Sequence, residues 1–128
     1  MRKTTPVHTY MSHLPVEIDR RDTLANAITR MGEQGIRHLP VLDGPRLFGI
    51  LSRHDVQVAM AAHGTAAGAI SVGEACTIDP LTVAPSAAIP DVARRMVERG
   101  VTSALVVDGD VLVGIFTAVD ALRLLAEV

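Results

Sequence analysis

Aromatic residues are scarce in this chain: two Phe, one Tyr and no Trp in 128 residues. Readers of single-stranded nucleic acid need aromatic platforms for stacking, so that function is not expected. Charge of one sign is lacking too. The net charge is −2 and the isoelectric point about 6.2, so no overall basic field draws the chain to DNA or RNA. Cysteine occurs once, at Cys76, which excludes an intrachain disulfide framework and a cysteine-rich zinc site and suits a reducing compartment. No apolar run reaches the roughly eighteen residues a membrane-spanning helix needs. "MRKTTPVHTY" at the N-terminus has basic residues but no apolar segment behind them, unlike a secretory signal. The cytoplasm is the expected location. A phosphate-binding Walker loop and a G-x-G-x-x-G fingerprint are both missing, so nucleotide hydrolysis and Rossmann-type binding are not expected.

What the chain has is aliphatic residues and a repeat. Apolar residues make up 48% of it, so the core must be built from Val, Leu, Ile, Ala and Met. At a shift of 65, residues 15–55 align without a gap on residues 80–120, and 12 of the 41 pairs are identical, including Arg30/Arg95, Gly35/Gly100, Gly44/Gly109, Gly49/Gly114 and Asp55/Asp120. Unrelated segments of ordinary composition would share roughly two or three. Two copies are too few for a solenoid, so they are expected to pack on each other as a pseudo-two-fold pair.

Each copy has the same internal order. An extended stretch, "PVEI" or "PLTV", comes first. An amphipathic helix follows, with Leu24, Ala27, Ile28 and Met31 or Ile89, Val92, Ala93 and Met96 on one face. Asp22 or Thr23 in copy one and Ser86 in copy two are candidate N-caps, and Gly35 and Gly100 stand where a left-handed residue ends the helix. Two strands joined at Asp43-Gly44 or Asp108-Gly109 come next, then a second helix. The expected fold is α/β (α+β), two β-α-β-β-α repeats: residues 1–62 as the first domain with the N-terminal segment, 63–71 as a small-residue linker, and 72–128 as the second domain.

The strand-to-helix junctions read "GILSRHD" (Gly49–Asp55) and "GIFTAVD" (Gly114–Asp120). A hydroxyl at a helix start with an acid three residues on is the pattern of a capping box, which satisfies backbone donors. The same group can serve a ligand, because the open N–H groups and positive dipole end of the helix attract phosphate. A carboxylate one turn later can accept from ribose hydroxyls, and the glycine would leave the strand end bare for a ligand to approach.

The repeated order, "GIRHLPVLDG", "GILSRHD" and the tandem copy resemble the CBS domain family, over roughly residues 7–60 and 72–126. The resemblance implies tandem CBS domains forming a pair, or Bateman module, with ligand sites in the clefts between them. It implies an adenine nucleotide or adenosyl compound as ligand: AMP, ADP, ATP or S-adenosylmethionine. It implies a regulatory role toward a separate partner protein, and a homodimer. By this resemblance Asp55 and Asp120 would hold ribose, and Ser52 and Thr117 phosphate. Adenine would sit against the first strands and the junctions, near Val16, Ile18 and Ile50 or Leu81, Thr82, Val83 and Ile115. Glu17 departs from the family's threonine at the position of Thr82, and Leu105 replaces the proline found at Pro40.

The copies differ in charge. Copy one has Arg37, His38, Arg53 and His54 where copy two has Thr102, Ser103, Ala118 and Val119. The phosphate-rich site is therefore expected on copy one; the alternative is that these are ordinary solvated charges. Successive strand residues face opposite ways, so only one of Arg37 and His38 can face a given ligand. Neither His8 and His13 nor His38 and His54 show metal-ligand spacing, and no metal is expected. Cys76 reads as a small buried hydrophobe, and "RRD" at 20–22 as a solvated loop. No nucleophile–base pair can be assembled, so an enzyme is not expected. The rival to a ligand sensor is a ligand-free structural module acting through dimerisation. The apolar stripe of the last helix, with Val119, Leu122, Leu125 and Ala126, suits a second copy.

Overall fold

The computed structural model describes residues 2–13 and 16–127. Pro15, which opens the first expected extended stretch, lies outside them. Among the described residues there are five α-helices and two sheets. In chain order the elements are β1 (Ile18–Asp19), α1 (Leu24–Gln34), β2 (His38–Asp43), β3 (Arg46–Ser52), α2 (Arg53–His63), α3 (Val72–Ala75), β4 (Thr77–Ile78), β5 (Thr82–Val83), α4 (Ile89–Arg99), β6 (Ser103–Asp108), β7 (Val111–Thr117) and α5 (Ala118–Ala126). Both copies keep the β-α-β-β-α order.

Local chemistry explains the boundaries. The Thr23 hydroxyl accepts from the Asn26 N–H and caps α1. Helix α4 is not capped by Ser86 as expected: its N-cap is Ala88, and Pro90 stands in its first turn, where a missing N–H costs nothing. Gly35 and Gly100 close α1 and α4 at φ of 62° and 64°, in the left-handed region. The hairpins turn one residue later than expected. Asp43 and Asp108 still pair in the strands, and the two-residue loops are Gly44-Pro45 and Gly109-Asp110. Only the first loop residue has positive φ, the arrangement of a type II′ turn. Both hairpins shift register at matching places, Val41/Leu42 and Val106/Val107.

The compact units cut the chain differently from the expected domains. One unit is Pro15–Pro80; the other joins Met1–Leu14 to Leu81–Val128. In the Pro15–Pro80 unit the sheet runs β1-β2-β3-β4, with β1 parallel to β2 and the other pairs antiparallel. Its core gathers Ile18, Leu24, Ala27, Met31, Leu39, Val41 and Leu51, with Val72 fully buried among them. The expected linker is folded here: Gly64–Ala69 is a 3-10 helix whose Ala67 joins that core. "RRD" is also tied down. Arg21 bonds Asp43 at 2.8 Å, the Arg20 guanidinium lies 5.0 Å from the Phe48 ring centre, and Asp22 accepts from the Thr23 N–H and the Asn26 amide.

The other unit has the sheet β5-β6-β7, with β5 parallel to β6. Its core holds Leu81, Val83, Ile89, Val92, Met96, Ala104, Val106, Phe116 and Leu124. Val7, in the 3-10 turn Val7–Thr9, is fully buried in it. Ser12 bridges Ile115 with backbone bonds of 2.8 and 2.9 Å, the counterpart of β4 on β3. The N-terminal segment thus packs with the second copy, and residues 72–78, which open the second copy, pack with the first. The reason is burial: Val7 and Val72 are the apolar plugs at equivalent places of the two cores.

Candidate functional site

Both junctions fold as complete capping boxes. In α2 the Asp55 N–H donates to Ser52 Oγ at 3.0 Å, and the Ser52 N–H donates to Asp55 Oδ2 at 2.9 Å. In α5 the Asp120 N–H donates to Thr117 Oγ1 at 3.2 Å, and the Thr117 N–H to Asp120 Oδ2 at 2.9 Å. Capping and ligand binding were both open from the sequence; capping is made in each copy, and each box contributes on the order of 1 kcal/mol to its helix.

A third group reaches each acid, and the sequence reading missed it. The Thr77 hydroxyl lies 3.1 Å from Asp55 Oδ1 and 3.3 Å from Oδ2. The Ser12 hydroxyl donates to Asp120 Oδ1 at 3.3 Å. Ser12 and Thr77 are themselves 65 apart, and Val7 and Val72 are identical at the same shift, so extending the repeat upstream of Pro15 would have exposed the pair.

The glycines have another reason than the one expected. A Cβ on Gly49 would run into the Thr77 carbonyl oxygen, and one on Gly114 into Met11 Sδ and the Ser12 carbonyl oxygen. They are bare because an added segment, residues 76–77 at Gly49 and 11–12 at Gly114, crosses there, not to admit a ligand.

The two acids differ in what remains open on them. A carboxylate offers about four acceptor sites, two on each oxygen. Asp120 is only 7% exposed, and its Oδ2 also accepts the Thr117 hydroxyl at 3.1 Å. Among the described residues that leaves one site, on Oδ1, with Arg123 Nη1 3.8 Å away. Asp55 is half-buried, and its Oδ2 takes the Ser52 N–H and a share of the Thr77 proton. Asp55 is thus the more open of the two acids.

The strand register decides which basic residue stands at the junction. His38 pairs with Ser52 across β2 and β3, and Ser103 with Thr117 across β6 and β7. His38 is therefore the side chain beside the motif hydroxyl, while Arg37 lies one position out and accepts the Arg53 N–H on its carbonyl at 3.0 Å. Arg37, Arg53 and His54 are exposed.

The apolar positions divide. Ile18 and Val83 are packed in the two cores. Ile50 and Ile115 are buried but outside the core clusters, on the opposite sheet face, with Pro40 and Leu105 as register partners. Thr82 is exposed, and its carbonyl accepts Arg95 Nη2 at 3.4 Å, as the Glu17 carbonyl accepts Arg30 Nη1 at 2.8 Å. Arg30 and Arg95 thus brace the first strand of each copy. Cys76 is half-buried, and burial, with the Asp55 charge added, pushes its thiol up to about 11. Among the described residues no three His, Cys, Asp or Glu side chains form a metal-binding group. Nor is any helix among them long and apolar enough to cross a membrane.

Two stretches of the chain, residues 7–62 and 72–127, match the family model described as CBS domain. A curated relative is the inosine-5′-monophosphate dehydrogenase of Korarchaeum cryptofilum (strain OPF8), 34% identical over 107 residues. The match spans 82% of this chain and 21% of that enzyme. Among solved structures, the CBS domain pair of protein MJ0100 in complex with 5′-methylthioadenosine and S-adenosyl-L-methionine aligns with a TM-score of 0.86 at 25% identity, covering 97% of this chain and 98% of that one. CBSX2 in complex with AMP aligns with a TM-score of 0.78 at 26% identity, covering 95% and 96%.

Proposed function

The chain belongs to the CBS domain family, and from that premise we propose that it is a regulatory module that binds an adenine nucleotide or adenosyl compound and signals to a separate protein. The observation that carries the reading is the twin capping box whose acid keeps an acceptor site open beside a helix start. At Asp55 a ribose diol meets the carboxylate, while phosphate meets the α2 N-terminus, Ser52 and the basic residues His38, Arg53 and His54. Asp120, Thr117, Thr82 and Ile115 form the less charged counterpart. AMP and the adenosyl compounds bound by the two solved neighbours make adenosine the shared ligand chemistry; ADP and ATP extend it by phosphates. The module itself carries no chemistry: ligand binding shifts the protein toward the arrangement that binds it better, and that shift is the signal. The cytoplasm is the compartment that supplies such ligands.

A second reading, a ligand-free interaction module, is favoured by one observation. Val119, Leu122 and Leu125 on α5 are 45%, 63% and 70% exposed. This apolar stripe fits a second copy of the chain, and the homodimer belongs to both readings. Sedimentation checks it: Leu122→Glu with Leu125→Glu yields a monomer if the stripe is the interface, and a wild-type monomer at high concentration contradicts it. A thermal-shift panel of AMP, ADP, ATP, 5′-methylthioadenosine and S-adenosylmethionine separates the readings. A ligand at 100 times its Kd adds about 2.7 kcal/mol, and Asp55→Asn removes most of the gain. No shift with any compound leaves the interaction module standing.

A further inference from the structure

Each motif acid is gripped at both oxygens. The backbone N–H of the cap holds Oδ2, and a hydroxyl from the added segment holds Oδ1: Thr77 for Asp55, Ser12 for Asp120. One bond would leave the carboxylate plane able to turn about its last torsion, which is broad for Asp. Two bonds on different oxygens fix that plane. The hydroxyl recurs in both copies although its neighbours change, from Met11 to Cys76 and from His13 to Ile78.

We infer that Thr77 and Ser12 are positioning residues for the recognition of a ribonucleoside's hydroxyls, each fixing the carboxylate so that its remaining Oδ1 acceptor site is preset for a sugar donor. The inference rests on the proposed adenosine-binding function and deepens it. Presetting matters because an acceptor that need not be ordered on binding gives more of its hydrogen bond to affinity. It also confers selectivity: a ligand lacking the hydroxyl leaves a charged acceptor without its donor. Thr77 holds the half-buried acid and Ser12 the nearly sealed one, so the larger effect belongs to Thr77.

A purely structural role for these hydroxyls, latching the added segment, would weaken all ligands alike. The readout is therefore a ratio. Titration calorimetry measures AMP against 2′-deoxy-AMP and 3′-deoxy-AMP for wild type, Thr77→Val, Thr77→Ser and Ser12→Ala. Wild type is expected to prefer AMP by about tenfold or more over at least one deoxy analogue, the value of a hydrogen bond to a charged group. Thr77→Val keeps the side-chain shape and brings that ratio close to one; Thr77→Ser retains it. Ser12→Ala deletes one oxygen and no carbon, so it reads the same effect more weakly at Asp120 even if Thr77→Val fails to fold. A ratio unchanged in Thr77→Val and Ser12→Ala, with all affinities lowered together, overturns the inference and leaves the binding function intact. Absence of binding by wild type to any of the three nucleotides overturns AMP as the ligand, and the inference with it.

Discussion

Asp55 and Asp120 carry the account at the scale of single residues. Their pairing with Ser52 and Thr117 was legible because a capping box is a local pattern, four residues long. The hydroxyls of Thr77 and Ser12 were not, because they arrive from 22 and 108 residues away. Register separated Arg37 from His38, which alternation alone left undecided. The core packing of Ile18 and Val83 was not legible, because an apolar residue on a short strand looks the same whether it faces a core or a ligand. Cys76 supplies a test of the surroundings of Asp55. Its raised thiol leaves almost no thiolate at neutral pH. Iodoacetamide should react slowly at pH 8, with the rate rising to a midpoint near 11 in the folded chain. Asp55→Asn moves the midpoint down. The neutral thiol stabilises the fold fully below pH 9.0, and that contribution is lost as pH rises toward 11. A folded-state midpoint at or below 9.0 contradicts this placement of the thiol.

Elements were read well where their signals were periodic. The first helix of each copy, the paired strands and both glycine stops follow from spacing and from the special φ of glycine. Short elements escaped notice: α3, β4 and the 3-10 turn Gly64–Ala69 are too brief for a period to show. The junction glycines were the informative misreading. Gly49 and Gly114 make room for the backbone of β4 and of residues 11–12. Alanine at either site should cost roughly 1–3 kcal/mol in urea denaturation, the usual penalty of overpacking. Adenosine binding should weaken as well, since the crossing segment carries the Thr77 or Ser12 hydroxyl. Alanine variants as stable as wild type would mean that the segment does not cross where it is described.

On the scale of the whole molecule, the duplication predicts two like units, and two units are present, but the chain exchanges their leading segments. Sequence order hid this, because a repeat does not say which neighbour an opening segment joins. One unit is contiguous and the other is not, so their folding should differ. The fragment 15–80 is expected to fold alone. The fragment 81–128 lacks Val7 and the Ser12 bridge, and should show native amide dispersion only when a peptide of residues 1–14 is added. Native dispersion of 81–128 without the peptide would contradict the exchange.

The claim on which the functional account turns is that adenosine ribose is received at the Ser52–Asp55 junction. An NMR titration of the full chain with AMP, following backbone amides, tests it most directly. The account predicts saturable shifts concentrated on Arg53, His54 and Asp55, with Thr77 following, and their loss in Asp55→Asn. Saturable binding whose shifts leave that junction unmoved, or no shift at any amide, would contradict it.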